Sequence, residues 1–295
     1  MTAVDPTVKT RAATRAPAQR RQGGKLRGVG FHLVMTPLTL LWIAPMVFVL
    51  FVAFRSFSDI TSNGLGALPS SFSFEGFTTV FSQALAGGAL ANSAIITLFT
   101  VVFSLLLASW AAFALSRYEI PFRRGLLLTM LAGNLLPPQI LLIPVARICD
   151  SLGISDTLFA LIVVQTAFGL GFYTFVLHGF MRAIPGEIFE AAKVDGAGEI
   201  RTYLQLMLPL CRPSLAALAA LATTWIWNDL LWALTVLRTE TNFPITAALL
   251  NIQGGFVSQW NVVAAGAVIA ALPTAAVFLI AQRQFVSGLT LGSNK

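Results

Sequence analysis

Apolar residues occupy this chain in long blocks set apart by short polar breaks. Blocks of about 20 residues, the length that crosses roughly 30 Å of hydrocarbon at about 1.5 Å per residue, lie at 31–54, 90–116, 125–146, 158–180, 213–236 and 262–282. A lipid interior lets apolar side chains face outward but requires every backbone N–H and C=O to find a partner within the protein, and helices do this segment by segment. The pattern therefore predicts an all-α integral membrane protein with six transmembrane helices. The third block is the least regular, because "NLLPPQILLIP" sets Asn134, Pro137, Pro138, Gln139 and Pro144 at membrane depth. A bent or broken helix is expected there, either a static kink packed by its neighbours, which the sequence favours, or a gate.

Composition agrees with this reading. Hydrophobic residues make up 56% of the 295 and charged residues 11%, with a mean hydropathy of +0.79. The net charge of +7 comes largely from the N-terminal tail, where Lys9, Arg11, Arg15, Arg20, Arg21, Lys25 and Arg27 face only Asp5. This distribution points to membrane topology and not to nucleic acid, since Lys and Arg accumulate in cytoplasmic segments. With the N-terminus inside, Arg117, Arg123, Arg124, Arg182, Lys193, Arg201, Arg212, Arg283 and Lys295 also fall inside. Only Arg55, Arg147 and Arg238 fall outside, so both termini are expected in the cytoplasm.

Residues 1–30 then form a disordered basic tail, 55–89 an extracytoplasmic loop with room for a short interfacial helix, 90–283 the core, and 284–295 a cytoplasmic tail. Cys149 and Cys211 are expected near opposite membrane faces, which argues against a disulfide, and their spacing suits neither a metal nor a redox motif. His32 and His178 are expected at span boundaries. No internal repeat is visible.

The longest inner loop, 181–212, is unusual because its charges balance: Arg182, Lys193, Arg201 and Arg212 against Glu187, Glu190, Asp195 and Glu199. A loop made only to lie on anionic lipid would be net positive. Pro185 and Gly186 open it, Glu187 suits a helix N-terminus, and "EIFEAAKV" continues as a good helix former with Ile188, Ala191 and Ala192 on one face. Gly196 permits a sharp bend, "EIRTYLQLM" forms a second short helix, and Pro209 opens the next span. Physically this is a helical hairpin suited to docking a partner, or a plain surface connector.

Glu190-Ala191-Ala192, then Gly196, then Leu206 and Leu208-Pro209, with Asp195 before the glycine, resemble the EAA loop of ABC-importer permeases. Leu206 stands where that family prefers Ile. From residue 31 onward, "NSAIITLFTVVFSLLLASWAAFALSRY", "AIPGE", "LPLCRPSLAALA", "WIWNDLLWAL", "FPITAALL" and "QRQFVSGLTLGSNK" are similar to the MalG-type branch of carbohydrate permeases, in the same order. The resemblance implies a type I ABC-importer bundle whose loop 186–209 docks an ATPase subunit through Glu187, Glu190, Ala191, Ala192, Asp195, Gly196, Leu206 and Pro209. It implies as partners a second, MalF-type permease in a heterodimer, two ATPase subunits that use ATP and Mg, and an extracytoplasmic sugar-binding protein. This chain itself would bind no cofactor and no metal, and the C-terminal "GLTLGSNK" either reaches the ATPase or is a frayed tail.

Ionisable and amide groups at membrane depth are the candidates for a sugar pathway, because each costs about 2.5–3.5 kcal/mol to insert at the centre and should face protein or a wet cavity. Trp225, Asn228, Asp229 and Trp232 fall on one helical stripe by their spacing and mix aromatic with polar groups, which suits sugars. The sequence favours the structural alternative, in which Asp229 orients its helix near the outer end and the tryptophans form an interfacial belt. Asn134, Gln139, Gln165 and Tyr173 are further candidates on the third and fourth spans. The chain has no G-x-x-x-x-G-K-[ST] loop, H-E-x-x-H or G-x-S-x-G, so neither a nucleotide site nor an enzyme is expected. An ion-coupled secondary transporter is the alternative, but one embedded Asp and no repeat argue against it.

Overall fold

The structure is a computed structural model that describes residues 23–83, 88–252 and 259–290. The chain divides into a segment ending at Phe48 and a larger unit from Val49 onward. The first segment is occupied by most of α1 (Gly23–Ala53), a helix that tolerates Pro37 and Pro45. Residues 23–30 are thus helical, not part of a disordered tail, and residues 1–22 lie outside the described residues.

In the larger unit, the region expected to form the extracytoplasmic loop holds two short helices instead of one, α2 (Phe57–Asn63) and α3 (Glu75–Gln83). Arg55 organises the first of them. It is fully buried; its Nε donates to Asp59 Oδ2 at 2.5 Å and its Nη1 to the carbonyls of Gly64, Leu65 and Ala67. That charged donor, with Ser70 and Asn63, holds the Asp59 carboxyl well below the usual carboxylate range.

Next come α4 (Ala89–Arg117), α5 (Arg123–Leu135), α6 (Pro138–Ser151) and α7 (Leu158–Ala183). The central pairing is α4 on α7. The buried residues of α4 include Ser93, Thr97, Thr100, Ser104, Ala108 and Ala112, mostly four apart and all small, so the backbones approach closely as membrane helices do when lipid offers no hydrophobic drive between them. At Gly171 of α7 an added Cβ would lie 2.3 Å from Met130 O of α5, so only glycine permits that crossing.

The proline-rich third block is broken outright. α5 and α6 meet at 97° across Leu136 and Pro137, because Pro138 lacks an amide hydrogen and its ring excludes helical geometry from the residue before it.

The remaining elements are α8 (Glu187–Val194), α9 (Glu199–Thr202), a π-helical turn (Tyr203–Met207), α10 (Leu208–Leu210), α11 (Arg212–Trp227), α12 (Leu231–Val236), a 3₁₀ turn (Glu240–Asn242), α13 (Ile245–Ile252) and α14 (Trp260–Thr290). Three expectations are corrected here. The fifth block is not one helix over 213–236: α11 stops at Trp227 and α12 begins at Leu231. Pro209 does not open that span but lies inside α10, and a 73° bend at Cys211 precedes α11, with Pro213 in its first turn. Residues 284–290 continue α14 instead of forming a tail, and 291–295 lie outside the described residues. Among the described residues four helices are long and apolar enough to cross a membrane, or up to six if each bent pair is one span.

Among the described residues both cysteines are free and buried. His178 is buried near the end of α7. Among the described residues two cores result: one gathers the end of α1, α2, α3, α6, α12–α14, the starts of α4 and α7 and the end of α11, and the other gathers the rest of α4, α7 and α11 with the hairpin that begins at α8.

Candidate functional site

The hairpin is built by local rules. The Gly186 carbonyl accepts from Phe189 N and Glu190 N, and Glu187 and Glu190 sit in the first turn of α8, where the helix dipole favours anions, with Lys193 in the last. The helix closes in a Schellman arrangement, in which Ala197 N donates to Ala192 O at 2.9 Å and Gly196 N to Lys193 O at 3.0 Å. This closure places Gly196 at φ +77°, the left-handed conformation that glycine adopts without a Cβ penalty.

The return strand of the hairpin holds the π turn. Leu208 N reaches five residues back to Tyr203 O, and Pro209 has no amide hydrogen to restore the ordinary spacing.

Glu187, Ile188, Glu190, Ala191, Asp195 and Gly196 are exposed. Ala192 is not: it is buried beside Phe189, so the expected Ile188–Ala191–Ala192 face is split, with Ala192 turned to the protein. Leu206 and Pro209 are half-buried. Three aromatic anchors fix the hairpin to the bundle. Phe189 packs in the second core, Tyr203 shares a 2.6 Å hydrogen bond with Ser109 of α4, and the Phe113 ring lies 5.4 Å from that of Tyr203. Sequence reasoning missed Phe189, Tyr203 and their α4 partners. The i, i+3 pairing of Phe189 with Ala192 was the available signal.

The pathway candidates separate into two groups. Trp225, Asn228, Asp229 and Trp232 do not form one helical stripe, because the helix is interrupted between Trp227 and Leu231. Trp225 is exposed and packs on Phe172 at 5.4 Å, whereas Trp232 is buried and stacks on Phe168 at 4.5 Å. Asn228 is exposed and its amide donates to Thr224 O at 2.8 Å.

Asp229 accepts from Gln165 Nε2 at 3.0 Å and from Ala233 N at 3.3 Å, and so caps α12 and ties it to α7. Gln165 and Tyr173 are buried, Tyr173 in the core of α4, α7 and α11. Asn134 and Gln139 are exposed, and Asn134 lines a cleft of about 380 Å³ with Thr129, Met130, Gly133, Phe168 and Gly171, where the broken helix pair meets α7. Among the described residues no group of His, Cys, Asp or Glu is arranged to hold a metal.

Residues 104–290, which contain the hairpin, match the family model described as "Binding-protein-dependent transport system inner membrane component". The chain belongs to that family. It is therefore a multi-pass, non-catalytic membrane component of such a transport system. It is 32% identical over 251 residues to the "Probable ABC transporter permease protein YurM" of Bacillus subtilis (strain 168), covering 85% of this chain and 83% of that one. It is also 32% identical to the "Trehalose transport system permease protein SugB" of Mycobacterium tuberculosis, covering 86% and 92%. The fold matches a chain of a bacterial ABC transporter involved in the import of the acidic polysaccharide alginate, with a TM-score of 0.77 at 22% identity, over 89% of this chain and 97% of that one.

Proposed function

We propose that this chain is one of two permease subunits of an ATP-driven sugar importer, and that the α8–α9 hairpin is where the free energy of ATP hydrolysis enters. The observation that carries this reading is the division of the hairpin into two faces. Glu187, Glu190, Ala191, Asp195 and Gly196 are presented outward, while Phe189, Ala192 and Tyr203 fasten the same element into the bundle. An element exposed on one side and rooted on the other can pass a displacement from a partner to the helices behind it. Since the chain lacks a phosphate-cradling loop, the nucleotide and its Mg belong to two ATPase subunits that grip the hairpin. The second, MalF-type permease completes the pathway, and an extracytoplasmic binding protein delivers the substrate. Both termini and the hairpin face the cytoplasm in this reading, in keeping with the distribution of Lys and Arg.

Carbohydrate is the substrate class that the family branch and the trehalose-transport relative support. Exposed Asn134, Gln139, Trp225 and Asn228 are the groups available to a passing sugar, offering amides to hydroxyls and an aromatic face to C–H groups. Buried Tyr173 and Trp232 and the bonded pair Gln165–Asp229 position them.

The test is purification of the tagged chain from its own cells, identification of the copurifying subunits, and assay of ATP hydrolysis in liposomes with the recovered binding protein and a panel of sugars. ATPase and binding-protein subunits should copurify, and one class of sugar should stimulate hydrolysis. Glu190→Lys should abolish that stimulation without preventing membrane insertion. Uptake that persists without ATP and collapses with the ion gradient would instead make the chain a secondary carrier.

A further inference from the structure

The last turn of α4 ends in Arg117, and its guanidinium meets three groups on two elements at once. Nη2 donates to Met181 O at 2.6 Å and to Ile184 O at 3.2 Å, two carbonyls at the end of α7, of which Met181 O also takes a longer bond of 3.4 Å from Ile184 N. The guanidinium carbon lies 3.7 Å from the centre of the Phe189 ring in α8. The link between α7 and α8 is only Ile184, Pro185 and Gly186, and nothing lies within 4 Å of where a Cβ on Gly186 would be. Covalent connection alone leaves that joint free to bend. Arg117 also lines a cleft of about 270 Å³ between α4 and the hairpin, bounded by Phe189, Glu190, Lys193 and Glu199, so the hairpin has space to swing into.

We propose that Arg117 is a positioning residue for energy coupling: it latches the end of α7 and the α8 helix to α4, so that displacement of the hairpin moves the α4–α7 pair as one body instead of being lost at the Ile184–Gly186 joint. This rests on the reading of the hairpin as the point of energy entry. A planar guanidinium suits the role because it donates in its plane to two carbonyls while its face covers an aromatic ring, which an ammonium does not do. The second tie between hairpin and α4, Tyr203 to Ser109, lies on the return strand and does not cross the joint.

The experiment uses the copurified complex carrying spin labels at Val102→Cys on α4 and Val194→Cys at the exposed end of α8, with distances measured without nucleotide and after trapping with ATP and vanadate. The native cysteines are buried. In the otherwise unaltered protein the distance distribution should be narrow and the same in both states. In Arg117→Gln it should broaden and shift on trapping, with the unlatched population rising by about tenfold, the weight of one charged-donor hydrogen bond. Phe189→Leu keeps the carbonyl bonds and the apolar burial but removes the ring; it should broaden less, and it decides the matter if Arg117→Gln does not assemble. A distance that changes on trapping in the unaltered protein, or distributions in assembled variants that match it, would overturn the latch alone. Absence of any ATPase from the unaltered complex would overturn the function on which it rests as well.

Discussion

Gln165 on α7 donates its amide to the Asp229 carboxylate at 3.0 Å, across the break that separates α11 from α12. The same carboxylate accepts from Ala233 N, and the Asp229 carbonyl accepts from Thr246 Oγ1 at 2.8 Å. One residue therefore joins three elements, and its side chain is occupied by protein donors.

Asp229→Ala removes a helix cap and leaves Gln165 without its acceptor. A loss of about 0.5–2 kcal/mol is expected for the cap alone, read as a lower melting temperature of the detergent-solubilised protein. Asp229→Asn retains an accepting oxygen and should be milder. In both variants selectivity among transported sugars should be unchanged. A shift in selectivity would place Asp229 in the pathway and not behind it.

Gly171 and Gly133 make a controlled pair at the α5–α7 crossing. A Cβ at Gly171 would meet Met130 O at 2.3 Å, while one at Gly133 would have nothing within 4 Å. Gly171→Ala must push α5 away from α7 and should cost about 1–3 kcal/mol, as overpacking does. Gly133→Ala should be neutral or stabilising by up to about 1 kcal/mol, the difference in helix propensity. Thermal melting of the two variants side by side checks both signs.

At Gly196 the surroundings are open, so only backbone geometry resists substitution. Its φ of +77° costs an ordinary L-residue about 1–2 kcal/mol, whereas Asn visits this region readily. Binding-protein-stimulated ATP hydrolysis should fall in the order Gly196, Gly196→Asn, Gly196→Ala, Gly196→Val. Equal stimulation in all four would mean that the bend is not used.

Much of this architecture is legible in the sequence where one physical rule dominates. Long apolar blocks gave α4 and α7 nearly to the residue, and Gly196 announced its turn because few other residues accept that φ. The sequence was least informative where two rules compete. Around Trp227 the apolar run continues, but Asn228 and Asp229 bond backbone groups more readily than they extend a helix, and the helix ends. Pro209 reads as a helix start, yet the π turn before it absorbs the missing amide and moves the bend to Cys211. Arg55 reads as an ordinary loop cation, although it is fully buried, because its carbonyl partners come from residues 64–67 that carry no distinguishing side chain. The anchoring of the hairpin through Tyr203 depends on contacts 94 residues apart in the chain, which no local pattern reports.

Asp156, in the turn between α6 and α7, supplies a pH-dependent tie to the segment that follows α12. It sits at φ +60°, a conformation Asp tolerates, and its carboxylate accepts from Arg238 N at 2.8 Å, from Thr239 N at 2.9 Å and from the Thr239 hydroxyl. The Thr239 hydroxyl first, then those amides, hold its acidity well below the usual carboxylate range. A carboxyl whose folded pKa is depressed contributes stability that is complete above the unfolded value of about 3.9 and is lost as pH falls through the lower folded value. The neighbouring Arg238–Asp150 pair is too exposed, at 65% and 46%, to add much. Melting temperatures of the unaltered protein and Asp156→Asn should therefore differ by a constant amount from pH 7 down to about pH 5, and the gap should narrow as pH drops below about 4. Taking the difference cancels Asp59, which titrates alike in both. A gap that widens on acidification would mean that Asp156 is held protonated in the fold, contrary to its donors.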